Sequence, residues 1–205
     1  MSDVKRKIGI MGGTFDPIHT GHLVTAEAVR IEYGLEKVLF IPAAFPPHKQ
    51  HSQVTPANHR YIMTIMATYS NPYFYVSPIE IERTGLSYTI DTVLALIEQY
   101  GEQTEFYFIT GADTVQELPT WKNIDHLLDL CYFIAATRPG SMCSIDQAIK
   151  NFGKKGQQRI LRLPTPELEI SSTDIRQRVQ QGRSIKYIVP ESVESYILKE
   201  GLYRR

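Results

Sequence analysis

Residues 7–34, KIGIM-GGTFDPIHTGH-LVTAEAVRIEYG, hold the passage on which the architecture turns. Residues 7–11 read as a buried strand, being short, apolar and bounded by Gly12 and Gly13. Residues 21–33 carry Val24, Ala28 and Ile31 at helical spacing, and Gly34 supplies a stop. Strand, glycine loop and helix make the opening half of a βαβ unit.

The same alternation continues outward. Residues 37–43 (KVLFIPA) form a second apolar run, followed by a loop with Pro42, Pro46 and Pro47. Thr55 is placed to cap a helix with Pro56 at its first position and Ile62, Ile65, Met66 and Tyr69 on its apolar face. Residues 74–82 read as a strand, and residues 89–100 as a helix with Ile90, Val93, Leu94 and Ile97 inward. Residues 105–110 and 132–137 are two more buried strands, with a short helix about residues 121–128 between them. Residues 159–163 give a strand, 172–181 a helix and 190–200 a closing helix before Gly201. Continuous apolar strands alternating with amphipathic helices imply a parallel sheet covered on both faces. The expected fold is α/β, Rossmann-like and doubly wound, with a mostly parallel sheet. One domain spans residues 1–205, its core in 1–170 and a small helical part in 171–205. Ligands of such sheets bind at the carboxyl ends of the strands, where the strand order reverses.

Composition narrows the function classes. At 205 residues, 42% hydrophobic and 21% charged, the chain can bury a core without disulfides and is neither disordered nor a rod. Twenty-two basic residues balance twenty-two acidic ones, which disfavours an extended nucleic-acid groove. Cys131 and Cys143, twelve apart, fit no disulfide framework. No signal peptide and no apolar run of membrane-spanning length is present, so a soluble cytoplasmic protein without nucleic-acid or membrane partners is expected. Whether copies associate as a homo-oligomer is left open.

The loop Gly12-Gly13-Thr14-Phe15-Asp16-Pro17-Ile18-His19-Thr20-Gly21-His22 carries the chemistry. Its glycines let a ligand approach the backbone. Two histidines flank a glycine where a helix begins, and free N–H groups and the helix dipole there favour an anion. Two imidazole donors from one turn suit charge on a single phosphorus. Plain helix capping is a rival reading. So are zinc ligands, since His48 and His51 supply a second pair, although no cysteine or carboxylate completes the set. Neither GxGxxG nor GK[ST] is present.

Near the other end, Ile170-Ser171-Ser172-Thr173-Asp174-Ile175-Arg176 reads locally as a capping box, with Ser171 and Asp174 at its ends and Ile175 and Val179 inward. It also gathers hydroxyls, amides and an arginine at a helix start, a set suited to a triphosphate tail provided that Asp174 points away.

The eleven residues 12–22 resemble the signature of the HxGH nucleotidyltransferase superfamily, and in their longer form that of bacterial nicotinate mononucleotide adenylyltransferases. Residues 170–176 resemble that family's ISSTxIR motif. Further matches are Pro46-Pro47-His48-Lys49, the SYTxDT segment at residues 87–92, Gly111-Ala112-Asp113, the LxxW pair Leu118 and Trp121, and Arg138-Pro139-Gly140. The resemblance runs from Ile8 to about Ile197.

It implies adenylyl transfer from ATP to nicotinate mononucleotide, giving deamido-NAD and pyrophosphate. His19, His22 and Arg176 would be catalytic. ATP would meet Gly12, Gly13, Thr14, Phe15, Gly111, Asp113, Arg138, Ser171, Ser172 and Thr173 as well. The mononucleotide would meet Asp16, Lys49, Ser87, Tyr88, Thr89, Trp121 and Lys122. An indole face suits a cationic pyridine ring. Many relatives have an aromatic residue after this tryptophan; Lys122 instead offers a charge that favours a carboxylate over a carboxamide. The mononucleotide phosphate is already an anionic nucleophile, so no base or covalent intermediate is needed. Mg2+ is expected to arrive on the triphosphate, without a dedicated protein cage. Other expectations are weighed against this one: transfer to phosphopantetheine or glycerol phosphate, and a non-catalytic nucleotide sensor. The proline-rich residues 42–56 are the candidate for motion.

Overall fold

The structure, a computed structural model, describes residues 5–46, 54–137, 142–166 and 168–204. Its six strands are β1 (Arg6–Gly13), β2 (Lys37–Pro42), β3 (Phe74–Val76), β4 (Thr104–Gly111), β5 (Cys131–Thr137) and β6 (Ile160–Pro164). They form one sheet in the order β3-β2-β1-β4-β5-β6, and every pairing is parallel. The chain winds outward from β1 in one direction, then restarts at β4 and winds in the other. The reversal lies between β1 and β4, so Gly12-Gly13 and Gly111 end side by side.

Period-two alternation divides the core between the two faces. Ile8, Ile10, Leu39, Ile41, Phe106 and Phe108 point to one side. There they meet α3 (Thr89–Tyr100), α4 (Ala112–Glu117), α5 (Ile124–Leu130) and α6 (Met142–Asn151). Val38, Phe40, Tyr107 and Ile109 point to the other, against α1 (Thr20–Tyr33), α2 (Ala57–Thr68), α8 (Ser172–Gln180) and α9 (Glu191–Lys199). Among the described residues no helix is long and apolar enough to cross a membrane.

Strand positions follow the sequence reading closely, except that β3 is only three residues long and gives way to turns before residue 82. Helix faces differ more. In α1 the buried residues are Ala26 and Val29, while Ile31 is 64% exposed. His22, Ala26, Val29 and Tyr33 lie on one stripe, so turning His22 toward the strand ends rolls Ile31 outward. In α3, Leu96 is buried and Leu94 exposed. Trp121 precedes α5 and follows a 3-10 turn at Leu118–Thr120. Helices α4, α6 and α7 (Gly153–Arg159) have no counterpart in the sequence reading. In α7, Gly156 lies so close to the carbonyl of Ile149 that a Cβ would overlap it; the glycine that weakens the helix pattern permits the packing.

The largest correction concerns α2. Pro56, not Thr55, precedes its first turn, and the expected apolar face is the outer one: Ile65 and Met66 are exposed and Tyr69 almost fully so. The inner face is Arg60, Met63, Thr64, Ala67 and Thr68. Thr64 and Thr68 donate to helix carbonyls of Arg60 and Thr64, which removes most of the cost of burying their hydroxyls. Arg60, 1% exposed, sets the register. Its guanidinium donates to the carbonyls of Thr55 (2.7 Å), Thr14 (2.7 Å) and Ala44 (3.2 Å), joining the loop after β1 to both ends of the connection between β2 and α2.

Arg60→Met keeps the bulk but strands those three acceptors. It is expected to cost about 3–5 kcal/mol, read from denaturant unfolding. A change below about 1 kcal/mol would mean that the carbonyls find other donors.

Candidate active site

The two stretches singled out at opposite ends of the sequence meet at the switch point. His19 stands at the N-cap of α1 with extended backbone (φ −146°, ψ 169°). The backbone N–H of His19 donates to His22 Nδ1 at 3.2 Å, and the N–H of His22 donates to the carbonyl of His19 at 3.0 Å. Because Nδ1 of His22 accepts, the proton of its neutral ring belongs on Nε2, which leaves that atom as a donor. The two imidazoles stack with centroids 3.7 Å apart and planes at 29°. Two cations at that spacing repel. Burial pushes the pKa of His22 well below its ordinary value, and the His19 ring adds to the effect. Gly21 completes the motif sterically: a Cβ there would come within 3.1 Å of His19 Nδ1.

Beneath the histidines the loop is held from three sides. Phe15 takes a left-handed backbone (φ 49°), and its buried ring meets His22 edge-on at 5.1 Å. Asp16 is 4% exposed; its carboxylate accepts from the hydroxyl of Tyr203 (2.8 Å) and the N–H of Thr55 (3.2 Å). From the far end of the chain, Ser172 Oγ donates to the carbonyl of Pro17 (2.9 Å) and Arg176 Nη1 to that of Asp16 (2.7 Å). Arg176 Nη2 also reaches Thr173 Oγ1 at 3.2 Å. Ser171 caps α8 by accepting from the N–H of Asp174, whose carboxylate turns to Arg178 (2.7 Å) and Arg183 (3.6 Å). The acid within the motif is therefore directed to its own helix and the residues that follow it.

These contacts frame a cleft of about 410 Å3 lined by Gly12, His19, His22, Gly111, Asp113, Ser171 and Ser172, among others. Gly111 caps α4, and Asp113 lies in its first turn. A smaller, more apolar pocket of about 180 Å3 adjoins it, lined by Gly13, Thr14, Ser87, Thr89 and Trp121. Gly12, Thr110 and Thr114 line both and form the border. A Cβ on Gly12 would approach the ring of Phe108 within 3.2 Å.

In the smaller pocket Trp121 stands edge-to-face with Phe108 (5.7 Å) and Phe133 (6.1 Å), and its buried indole N–H has no hydrogen-bond partner among the described residues. Thr89 opens α3, with Tyr88 at its N-cap. Lys122 does not line the pocket: its ammonium sits 3.3 Å from Asp91 and 4.5 Å from the Tyr88 ring centroid. It ties the Trp121 segment to the start of α3 rather than offering a free charge.

The residues divide plainly. His19, His22, Gly12, Gly111, Asp113, Ser171 and Ser172 share the large cleft; Gly13, Thr14, Ser87, Thr89 and Trp121 share the small pocket. Phe15, Asp16, Thr173 and Arg176 lie around or beneath them and line neither. Lys49, Arg138, the pair His48 and His51, and residues 47–53 of the proline-rich loop lie outside the described residues. Among the described residues no group of three or more His, Cys, Asp and Glu side chains could hold a metal ion. Sequence reasoning missed Arg60 and Tyr203, which brace the loop, and Thr110 and Thr114, which form the border. A buried arginine leaves no hydrophobic signature, whereas Thr110 stands at a strand end, where ligand contacts were expected.

The glycine loop lies at the switch point with a histidine pair at a helix start, and the chain that carries them belongs to the cytidylyltransferase-like family, whose model matches residues 10–178. Its relatives narrow the class further. It is 57% identical over 200 residues, 97% of this chain and 95% of the other, to a protein of Thermoanaerobacter sp. (strain X514) described as a probable nicotinate-nucleotide adenylyltransferase. It is 54% identical over 199 residues, 97% and 92% of the two chains, to a protein of Moorella thermoacetica described in the same words. Among solved structures, a nicotinic acid mononucleotide adenylyltransferase of Plasmodium falciparum complexed with NaAD has the same fold. Its TM-score is 0.72 at 18% identity, over 97% of each chain. So does a putative nicotinate-nucleotide adenylyltransferase of Vibrio parahaemolyticus, with TM-score 0.70 at 18% identity over 98% and 96%.

The depressed pKa of His22 carries a sign. Between its folded pKa and the ordinary value near 6.5, the unfolded chain binds a proton that the folded chain refuses, so stability falls as pH drops through that window. The His22 contribution has a slope of at most about 1.4 kcal/mol per pH unit. Wild type is expected to lose more melting temperature than His22→Asn between pH 7 and pH 5. Parallel melting curves for the two would remove the basis for a neutral His22.

Proposed function

We propose that the protein transfers the adenylyl group of ATP to nicotinate mononucleotide, forming nicotinate adenine dinucleotide (deamido-NAD) and pyrophosphate in the cytoplasm. One observation carries the reading: a polar cleft with a histidine pair and two helix starts abuts an apolar pocket with a tryptophan, across the narrow border of Gly12, Thr110 and Thr114. Two ligands placed on either side bring a phosphate oxygen of one against the α-phosphorus of the other. The family of the chain and the names of its relatives favour the same pair of substrates.

Attack by that oxygen forms the new P–O bond as the bond to the β-phosphate's bridging oxygen breaks, and pyrophosphate leaves with the electron pair. The nucleophile is an anion, so positioning and charge stabilisation supply the catalysis. His22 Nε2–H donates to a non-bridging α-oxygen, and His19 joins it from one turn earlier. Gly12 and Gly111 admit the nucleotide, Asp113 accepts from ribose hydroxyls, and Ser171, Ser172 and the first amides of α8 take the β- and γ-phosphates, with Arg176 and Thr173 holding that helix start against the loop. Arg138 and Lys49 join the phosphate contacts. Trp121 stacks on the pyridine ring, while Thr89 and the first amides of α3 meet the nicotinate carboxylate beside Ser87 and Tyr88. Asp16, with both carboxylate oxygens engaged in the fold, supports the loop.

The cleft's donors are imidazoles, hydroxyls and amides with Asp113 as a carboxylate, a set that fits phosphate better than a bare cation. Mg2+ bound to the triphosphate would add neutralisation of phosphate charge. The chain works here as one unit, since residues 1–170 form most of the cleft and α8 closes it.

Purified protein mixed with ATP and nicotinate mononucleotide is expected to release pyrophosphate, and phosphopantetheine is expected not to replace the mononucleotide. His22→Ala should lower kcat by roughly 10²–10³ with a native circular dichroism spectrum. Near-normal turnover in that variant overturns the role of the histidine pair, and no pyrophosphate from wild type overturns the reaction.

A further inference from the structure

The turn after β3 carries a carboxyl group that no step above uses. Glu80 lines the smaller pocket and is 7% exposed. Thr92 Oγ1, on the first turn of α3, donates to its Oε1 at 2.7 Å, and Ser87 lines the same pocket. Arg83 Nη2 donates to Thr92 Oγ1 at 3.1 Å. Ser87 Oγ accepts the N–H groups of Ala44 (3.0 Å) and Phe45 (3.3 Å), and the N–H of Ser87 donates to the carbonyl of Phe45 (3.0 Å). Glu80 thus anchors the start of α3, while Ser87 ties the segment before it to the loop after β2.

We propose that Glu80 is a positioning residue for the mononucleotide pocket, whose carboxylate holds Thr92 and so places the start of α3, with Thr89, against Ser87 and Ala43 in the pocket wall. An ionised carboxylate only accepts, so Thr92 turns its proton to it. Ser87 gives its lone pairs to the Ala44 and Phe45 amides. Burial pushes the pKa of Glu80 up, and the hydroxyls of Thr92 and Ser87 with the guanidinium groups of Arg83 and Arg60 oppose that shift. A glutamine has the same shape but one acceptor and two donors. Turning its oxygen to Thr92 puts an NH2 group in the place of the other carboxylate oxygen and removes the charge that faces Arg83 and Arg60, so the hold on the start of α3 weakens.

The proposal rests on the assignment of this pocket to nicotinate mononucleotide, and the ATP cleft across the border serves as its internal control. Steady-state kinetics on Glu80→Gln should show the KM for nicotinate mononucleotide raised roughly tenfold, the loss of about one hydrogen bond's worth of binding. The KM for ATP should stay within about twofold. Thr92→Val removes one donor at nearly constant volume and should act in the same direction, with Glu80→Gln/Thr92→Val no worse than Glu80→Gln alone. Equal rises in both KM values, or an unchanged mononucleotide KM, overturn the proposal. If Glu80→Gln does not fold, Thr92→Val decides: a wild-type mononucleotide KM in that variant overturns it. Wild type inert toward nicotinate mononucleotide overturns the reading of the pocket instead, and an active wild type with matching variants overturns the role of Glu80 alone.

Discussion

Everything at the site depends on two hydrogen bonds between the ends of the chain. Ser172 to the carbonyl of Pro17 and Arg176 to that of Asp16 hold the start of α8 against the β1–α1 loop. A helix start is a modest anion site alone, with its effect confined to the first turn. Two such starts facing one cleft let a polyphosphate be held at separate points, which fixes its direction as well as its position. The charge-assisted bond from Arg176 is the stronger of the pair and sets the distance between the walls.

The second constraint is a buried cation. Arg60 spends its guanidinium on three neutral carbonyls and so fastens the loops after β1 and β2 to the entry of α2. Asp16 offsets the burial of that charge, and Tyr203 and Thr55 hold Asp16 in place. Rigid loops at strand ends come at the cost of an inverted helix: α2 gives its inner face to Arg60 and two threonines and leaves Ile65, Met66 and Tyr69 outside.

How much of this could be read in the sequence follows from how local each signal is. The strands were legible because a parallel strand buried on both faces is an unbroken apolar run, as in residues 37–42 and 131–137. The two phosphate motifs were legible because each is a contiguous loop and helix start. The face of α2 was not, since periodicity counts Arg60 as polar and therefore as outward. Helix α7 was hidden by Gly153 and Gly156, one for a positive φ and one for close packing. Lys122 carried a charge whose destination, Asp91, lies 31 residues away. Glu80 was read as part of a strand that ends four residues earlier, and its partners come from α3 and the segment before it.

The bond between Asp16 and Tyr203 joins residues 187 positions apart. At roughly 5–20 residues per second of synthesis, Asp16 leaves the ribosome some ten to forty seconds before its partner exists. Through that interval the sheet can grow strand by strand while the floor under the first loop stays short of one donor. Tyr203 thus acts as a late latch, which sets the entrance only once it is made.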